Sequence, residues 1–126
     1  MSETAISAAR EVMTRHINAL NAHDETALAA TLHFPHVRLS GTALKTWDTP
    51  ESYFADFRAR AGDSWNRSHF DDIRVVDASE DKVHLDVEVL RFDADDACIA
   101  RFRSLWVITK RNGHWAAQLR SSFATR

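Results

Sequence analysis

Three features of the sequence predict an α+β fold. Apolar residues recur at helical spacing in the first quarter, the period changes to two after Trp65, and Asn112-Gly113 sits between two alternating runs. Helices followed by consecutive strands segregate to one face of a sheet. The expected architecture is N-terminal helices packed on a strongly curved mixed or antiparallel sheet, closing over a small pocket.

Ile6, Ala9, Met13, His16, Ile17 and Leu20 fall on one face of a helix from about residue 4 to 22. Asp24 suits the N-cap of a short second helix from Glu25 to about Thr31, with Leu28 and Leu32 inward. Pro35 breaks helix, and Val37 and Leu39 alternate with His36, Arg38 and Ser40 before Gly41 permits a turn, which reads as a first strand. Thr49-Pro50-Glu51 starts a third helix with Tyr53, Phe54, Phe57 and Ala61 on its apolar face and Gly62 at its stop. Strand-like runs follow at about 68–77, 82–92, 97–110 and 114–123, forming a meander of hairpins.

A two-residue turn at Asn112-Gly113 pairs Trp106 with Leu119, Ser104 with Ser121 and Phe102 with Phe123. A tip at Ala94-Asp95 sets Val83, Leu85, Val87 and Val89 opposite Trp106, Ser104, Phe102 and Ala100, and sets Asp86 and Glu88 opposite Arg103 and Arg101. A slip of one residue would drive carboxylates into the core, so both registers place the apolar set inside. The outer face, with His84, Asp86, Glu88, Arg101, Arg103, Gln118 and Arg120, is either a solvated field of ion pairs or, with Leu90, Ile99 and Leu105, the interface of a homodimer.

The 126 residues are read as one domain, 1–126, long enough to bury roughly two-thirds of the unfolded surface. Interspersed charges, 16 basic and 18 acidic, form no basic stripe, so nucleic acid is not an expected partner. Cys98 alone makes neither a disulfide nor a zinc motif. With no export signal and no apolar run long enough to span a bilayer, no membrane partner and a cytoplasmic location are expected.

The order of elements resembles the nuclear transport factor 2-like (SnoaL-like) superfamily over nearly the whole chain. Ala19-Leu20-Asn21-Ala22-His23-Asp24 is similar to a recurrent first-helix ending of that superfamily, and Trp115 and Arg120 match common features of its last strand. The resemblance implies a cone-shaped α+β barrel whose relatives include isomerases, dehydratases, cyclases, epoxide hydrolases and non-catalytic binders. Aligned on that ending, His16 stands where the ketosteroid isomerase branch has a tyrosine. The carboxylate positions of that branch fall near Leu39 or Ser40 and near Ser104 or Leu105, which argues against its mechanism. An epoxide hydrolase arrangement is equally absent, because Asp86 and Arg103 are expected to face outward.

His16, between Met13 and Leu20 on the apolar helix face, is the leading acid-base candidate; the alternative is a buried histidine satisfied by one hydrogen bond. His33 and His36 are placed at the mouth between helix two and strand one, with His69 approaching, but no metal-ligand spacing accompanies them. Tyr53, Trp65, Phe102 and Trp106 would supply apolar wall, and Ser104 and Ser121 a polar floor, since buried hydroxyls need partners. Parity turns Arg38 outward. The expected function is a small-molecule pocket protein, either a cofactor-independent lyase or isomerase acting on a partly apolar compound through a histidine, or a non-catalytic ligand-binding or dimeric interaction domain. Neither a metal nor an organic cofactor is expected.

Overall fold

The computed structural model describes residues 2–59 and 64–124. Helix α1 (Glu3–Asn21) begins where the Ser2 hydroxyl accepts from the Ala5 amide, 3.1 Å away. Its buried stripe is Ala5, Ala9, Val12, Met13, His16 and Ala19, so the inward face is turned slightly from the predicted one and leaves Ile6 and Ile17 half-buried. Asp24 caps α2 (Glu25–Ala29) as expected, accepting from the Ala27 amide at 3.1 Å. Thr49 does the same for α3 (Pro50–Ala59), accepting from the Ser52 amide at 3.1 Å. The predicted roles of Ala61 and Gly62 lie outside the described residues.

Six strands form one mixed sheet in the order β2-β1-β6-β5-β4-β3. They are β1 (Leu32–Ser40), β2 (Ala43–Trp47), β3 (Arg67–Ala78), β4 (Lys82–Phe92), β5 (Cys98–Arg111) and β6 (His114–Ser122). Neighbours are antiparallel except β1 and β6, which run parallel. Helix α1 crosses β3, β4, β5 and β6 on one face, and Met13, Leu28, Val83, Leu85, Val87 and Ile108 fill the space between. No helix among the described residues is long and apolar enough to cross a membrane.

Strand β2 is absent from the predicted elements because its apolar residues do not alternate: Leu44 is 68% exposed and Trp47 alone is buried. What holds it to α3 is Asp56, which accepts from the Trp47 indole at 2.8 Å and from Lys45 at 2.7 Å. The Asn112-Gly113 turn forms as expected, both residues at positive φ (52° and 78°) between paired Arg111 and His114. The β4–β5 tip is longer than predicted. The Asp93 carboxylate accepts from the Asp95 and Ala97 amides at 2.9 and 3.0 Å, organising a loop that moves the register by two, so that Leu85 faces Trp106 and Val87 faces Ser104. A shift of two leaves every side chain on its predicted face, and Asp86 and Glu88 still reach Arg103 and Arg101 diagonally at 3.0 and 2.9 Å.

The last strand departs more seriously. Near the turn the register is the predicted one, but between Val107 and Ile108 β6 advances two residues while β5 advances one. Gln118 is the extra residue of this β-bulge. Beyond it Trp106 faces Arg120 and Ser104 faces Ser122. Leu119 and Phe123, assigned to the inner wall from sequence, are instead 37% and 75% exposed. A matching irregularity in β1, where five residues pass against two of β6, inverts its parity so that His36, Arg38 and Ser40 point inward. The Gln118 side chain links the two irregularities, donating to the Pro35 carbonyl at 2.7 Å and accepting from Thr109 and Arg111 at 3.3 Å.

Candidate functional site

A cavity of about 740 Å³ opens between the helices and the sheet. Helix α1 contributes His16 and Leu20, α3 contributes Tyr53 and Phe57, and the sheet contributes Phe70, Val89, Phe102 and Trp106. At its rim Glu25 of α2 and Arg58 of α3 form an ion pair, Arg58 Nε to Glu25 Oε2 at 2.8 Å. Trp65 and Ser68 line it from the β3 side, the indole donating to the Ser68 hydroxyl at 2.8 Å. Asn21 explains the asparagine in the helix ending: its amide accepts from Ser68 N–H and donates to Ser68 C=O, both at 2.8 Å, fastening α1 to the edge strand beside the cavity.

His16 is 2% exposed, its ring edge-on to Trp106 with centroids 5.0 Å apart. Its Nδ1 is 2.8 Å from the Thr31 hydroxyl, which itself donates to the Leu28 carbonyl at 2.7 Å. A hydroxyl has one proton to give, so Thr31 accepts from His16 and Nδ1 carries the hydrogen. Nε2, on the opposite edge of the ring, is then a lone-pair acceptor. Burial first, then the nearby Arg120 guanidinium and His36, hold the His16 pKa well below the usual histidine value, so the imidazole is neutral near pH 7.

His33 and His36 lie away from the mouth. His33 Nε2 donates to the carbonyls of Thr109 and His114 at 3.0 and 3.1 Å, joining β1 to the last hairpin, and burial lowers its pKa. His36 is fully buried behind the cavity wall, donating from Nδ1 to the Ala117 carbonyl at 3.1 Å among Phe34, Trp47 and Tyr53. His69 is exposed beside Asp71. Tyr53, Trp65, Phe102, Ser104 and Trp106 all line the cavity, whereas Ser121 does not, because the bulge in β6 puts Ser122 in its place.

Two arginines enter that the sequence reading turned outward. Arg38 and Arg120 are register partners on the parallel strands β1 and β6, and both line the cavity. Arg38 is 8% exposed, its guanidinium 5.1 Å from the Trp47 ring centre. Arg120 sits 4.9 Å over Trp106 and donates from Nη2 to the Tyr53 hydroxyl at 3.1 Å, while its Nε is buried without a hydrogen-bond partner among the described residues. Arg120 is turned inward by the bulge at Gln118, which carries no glycine or turn residue to mark it, and Arg38 by the irregularity in β1.

This geometry defines a class, a helix-covered mixed sheet enclosing a basic, aromatic-walled cavity, and solved structures place the fold. A protein of unknown function with a cystatin-like fold from Nostoc punctiforme superposes with a TM-score of 0.80 at 15% identity, over 97% of this chain and 92% of that one. An NTF2-like protein of unknown function from Pseudomonas putida gives 0.79 at 19% identity, over 99% and 89%. An NTF2-like protein from Cytophaga hutchinsonii gives 0.75 at 16%, over 99% and 100%. The chain therefore has the nuclear transport factor 2-like fold, and at these identities the likeness speaks for fold alone. No family model and no curated protein matches it.

Proposed function

We propose that the cavity binds a small, partly apolar molecule and that His16 moves a proton on it, in a lyase or isomerase reaction. The observation that carries this reading is the Leu28–Thr31–His16 chain. It fixes the ring through Nδ1 and leaves Nε2 as the acceptor on the edge away from Thr31, in a histidine that lines the cavity. Tyr53 and Ser104 are within the same wall to orient the bound molecule, and the apolar side chains exclude water from it. His16→Gln keeps the size and polarity of the residue but not its basicity. In a screen for turnover it should lower the rate by about a hundredfold or more with the melting temperature held. Retained turnover in a folded His16→Gln protein would assign the chemistry elsewhere.

A binding role without chemistry is the second reading, favoured by burial and then the nearby Arg120 charge, which together make His16 a weak base in the free protein. Ligand binding that survives His16→Gln with no turnover in the native chain would select it. The outer sheet face is proposed as a homodimer interface: Leu39, Ile99, Leu105 and Leu119, each 37–39% exposed, share it with the Asp86–Arg103 and Glu88–Arg101 pairs. Sedimentation as a monomer at tens of micromolar would exclude this.

A further inference from the structure

Among the described lining residues basic side chains outnumber acidic ones. Among these are Arg38, Arg58, Arg91 and Arg120 against a single carboxylate, Glu25, which is bound to Arg58 at the rim. Arg120 is different in kind from a surface arginine. It approaches the face of Trp106, it donates to the Tyr53 hydroxyl, and no carboxylate among the described residues pairs with it. A half-buried guanidinium whose Nε is shut from water without a partner among the described residues favours an anionic acceptor, and its planar fork matches a carboxylate. Arg38, directly across the strand pair, adds a second guanidinium on the same wall. Elsewhere in the cavity Phe57, Phe70, Val89 and Phe102 offer apolar surface, with the hydroxyls of Ser104 and Ser122 among them.

We propose that the ligand is a small organic carboxylate carried on an apolar ring system, with Arg120 receiving the carboxylate beside Arg38 and the ring lying against Phe70, Phe102 and Trp106. This rests on the cavity being a binding site and names what enters it. His16 and Arg120 both pack against Trp106, so an acid held by Arg120 lies near the same indole as the imidazole.

The test is calorimetry on the full chain with 1-naphthoate and anthracene-9-carboxylate, each against its own neutral carboxamide, and with inorganic phosphate alone. The acids should bind about tenfold or more tighter than the amides. Arg120→Gln should bring each acid-to-amide ratio near one while amide binding persists. Equal binding of acid and amide by the native chain would overturn the carboxylate assignment and leave the binding site standing. Binding of neither at about 1 mM would overturn both. Phosphate binding as tightly as the acids would remove the apolar part of the proposal. The native acid-to-amide comparison decides the matter even if Arg120→Gln fails to fold.

Discussion

His36 should make the protein acid-sensitive below the ordinary histidine pKa. It is 0% exposed, its Nδ1 bonds the Ala117 carbonyl, and its Nε2 is buried without a hydrogen-bond partner among the described residues. Burial, with the Arg120 guanidinium next in importance, lowers its pKa from 6.5 to about 3. The unfolded chain therefore takes up a proton at this residue as pH falls through 6.5, and the folded chain does not until about 3. Stability is complete above 6.5 and is lost progressively below it. At a pH of about 5 the gap is about 1.5 pH units, worth about 2 kcal/mol from His36 alone. Urea unfolding followed by tryptophan fluorescence from about pH 8 to 5 measures this. His36→Asn, whose amide can approach the position of Nδ1, should flatten the profile by that amount. Parallel profiles for the two proteins would refute the assignment. His16 and His33 are lowered too and act in the same direction, so the native slope should exceed that of His36→Asn without vanishing in the variant.

Two further substitutions probe the supports of the cavity. Asn21→Ala strips partners from both the N–H and C=O of Ser68 and should cost about 2 kcal/mol in urea unfolding, where Asn21→Asp, which keeps only the acceptor, should cost less if the Ser68 amide dominates. Tyr53→Phe removes the hydroxyl that accepts from Arg120; because Arg120 lines the cavity and is only half-buried, the expected cost is about 1.5 kcal/mol, read as a fall in melting temperature.

The parts of the fold legible in the sequence were those fixed by short-range chemistry. Asp24 and Thr49 cap because a side-chain oxygen reaches an amide two or three residues on, and Asn112-Gly113 turns because both residues tolerate positive φ. The face assignments of β4 and β5 survived a wrong loop because a slip of two preserves parity. What was not legible was the single extra residue in β6. Gln118 is held as a bulge by the Pro35 carbonyl, a partner 83 residues away in sequence, and no local pattern announces that contact. Its effect on the site is large: Ser121, Leu119 and Phe123 leave the interior, and Arg120 and Ser122 enter. His33 and His36 were misplaced for a related reason, since the parity of β1 is set by its own irregularity against β6.

The bulge also bears on why a folded domain keeps a guanidinium where a leucine was available. With a regular ladder Leu119 would face Trp106 and bury apolar surface, whereas the observed register spends that position on a charge whose desolvation is offset only in part by the Tyr53 hydroxyl and the Trp106 ring. The same charge depresses His16 and His36, so its presence is felt at two buried imidazoles as well. An anion bound at Arg120 would satisfy the guanidinium and, by cancelling its field, remove the second of the causes that lower His16 and His36, while burial, the first, remains. Binding and the basicity of His16 are then linked through Arg120, within the limit that burial sets.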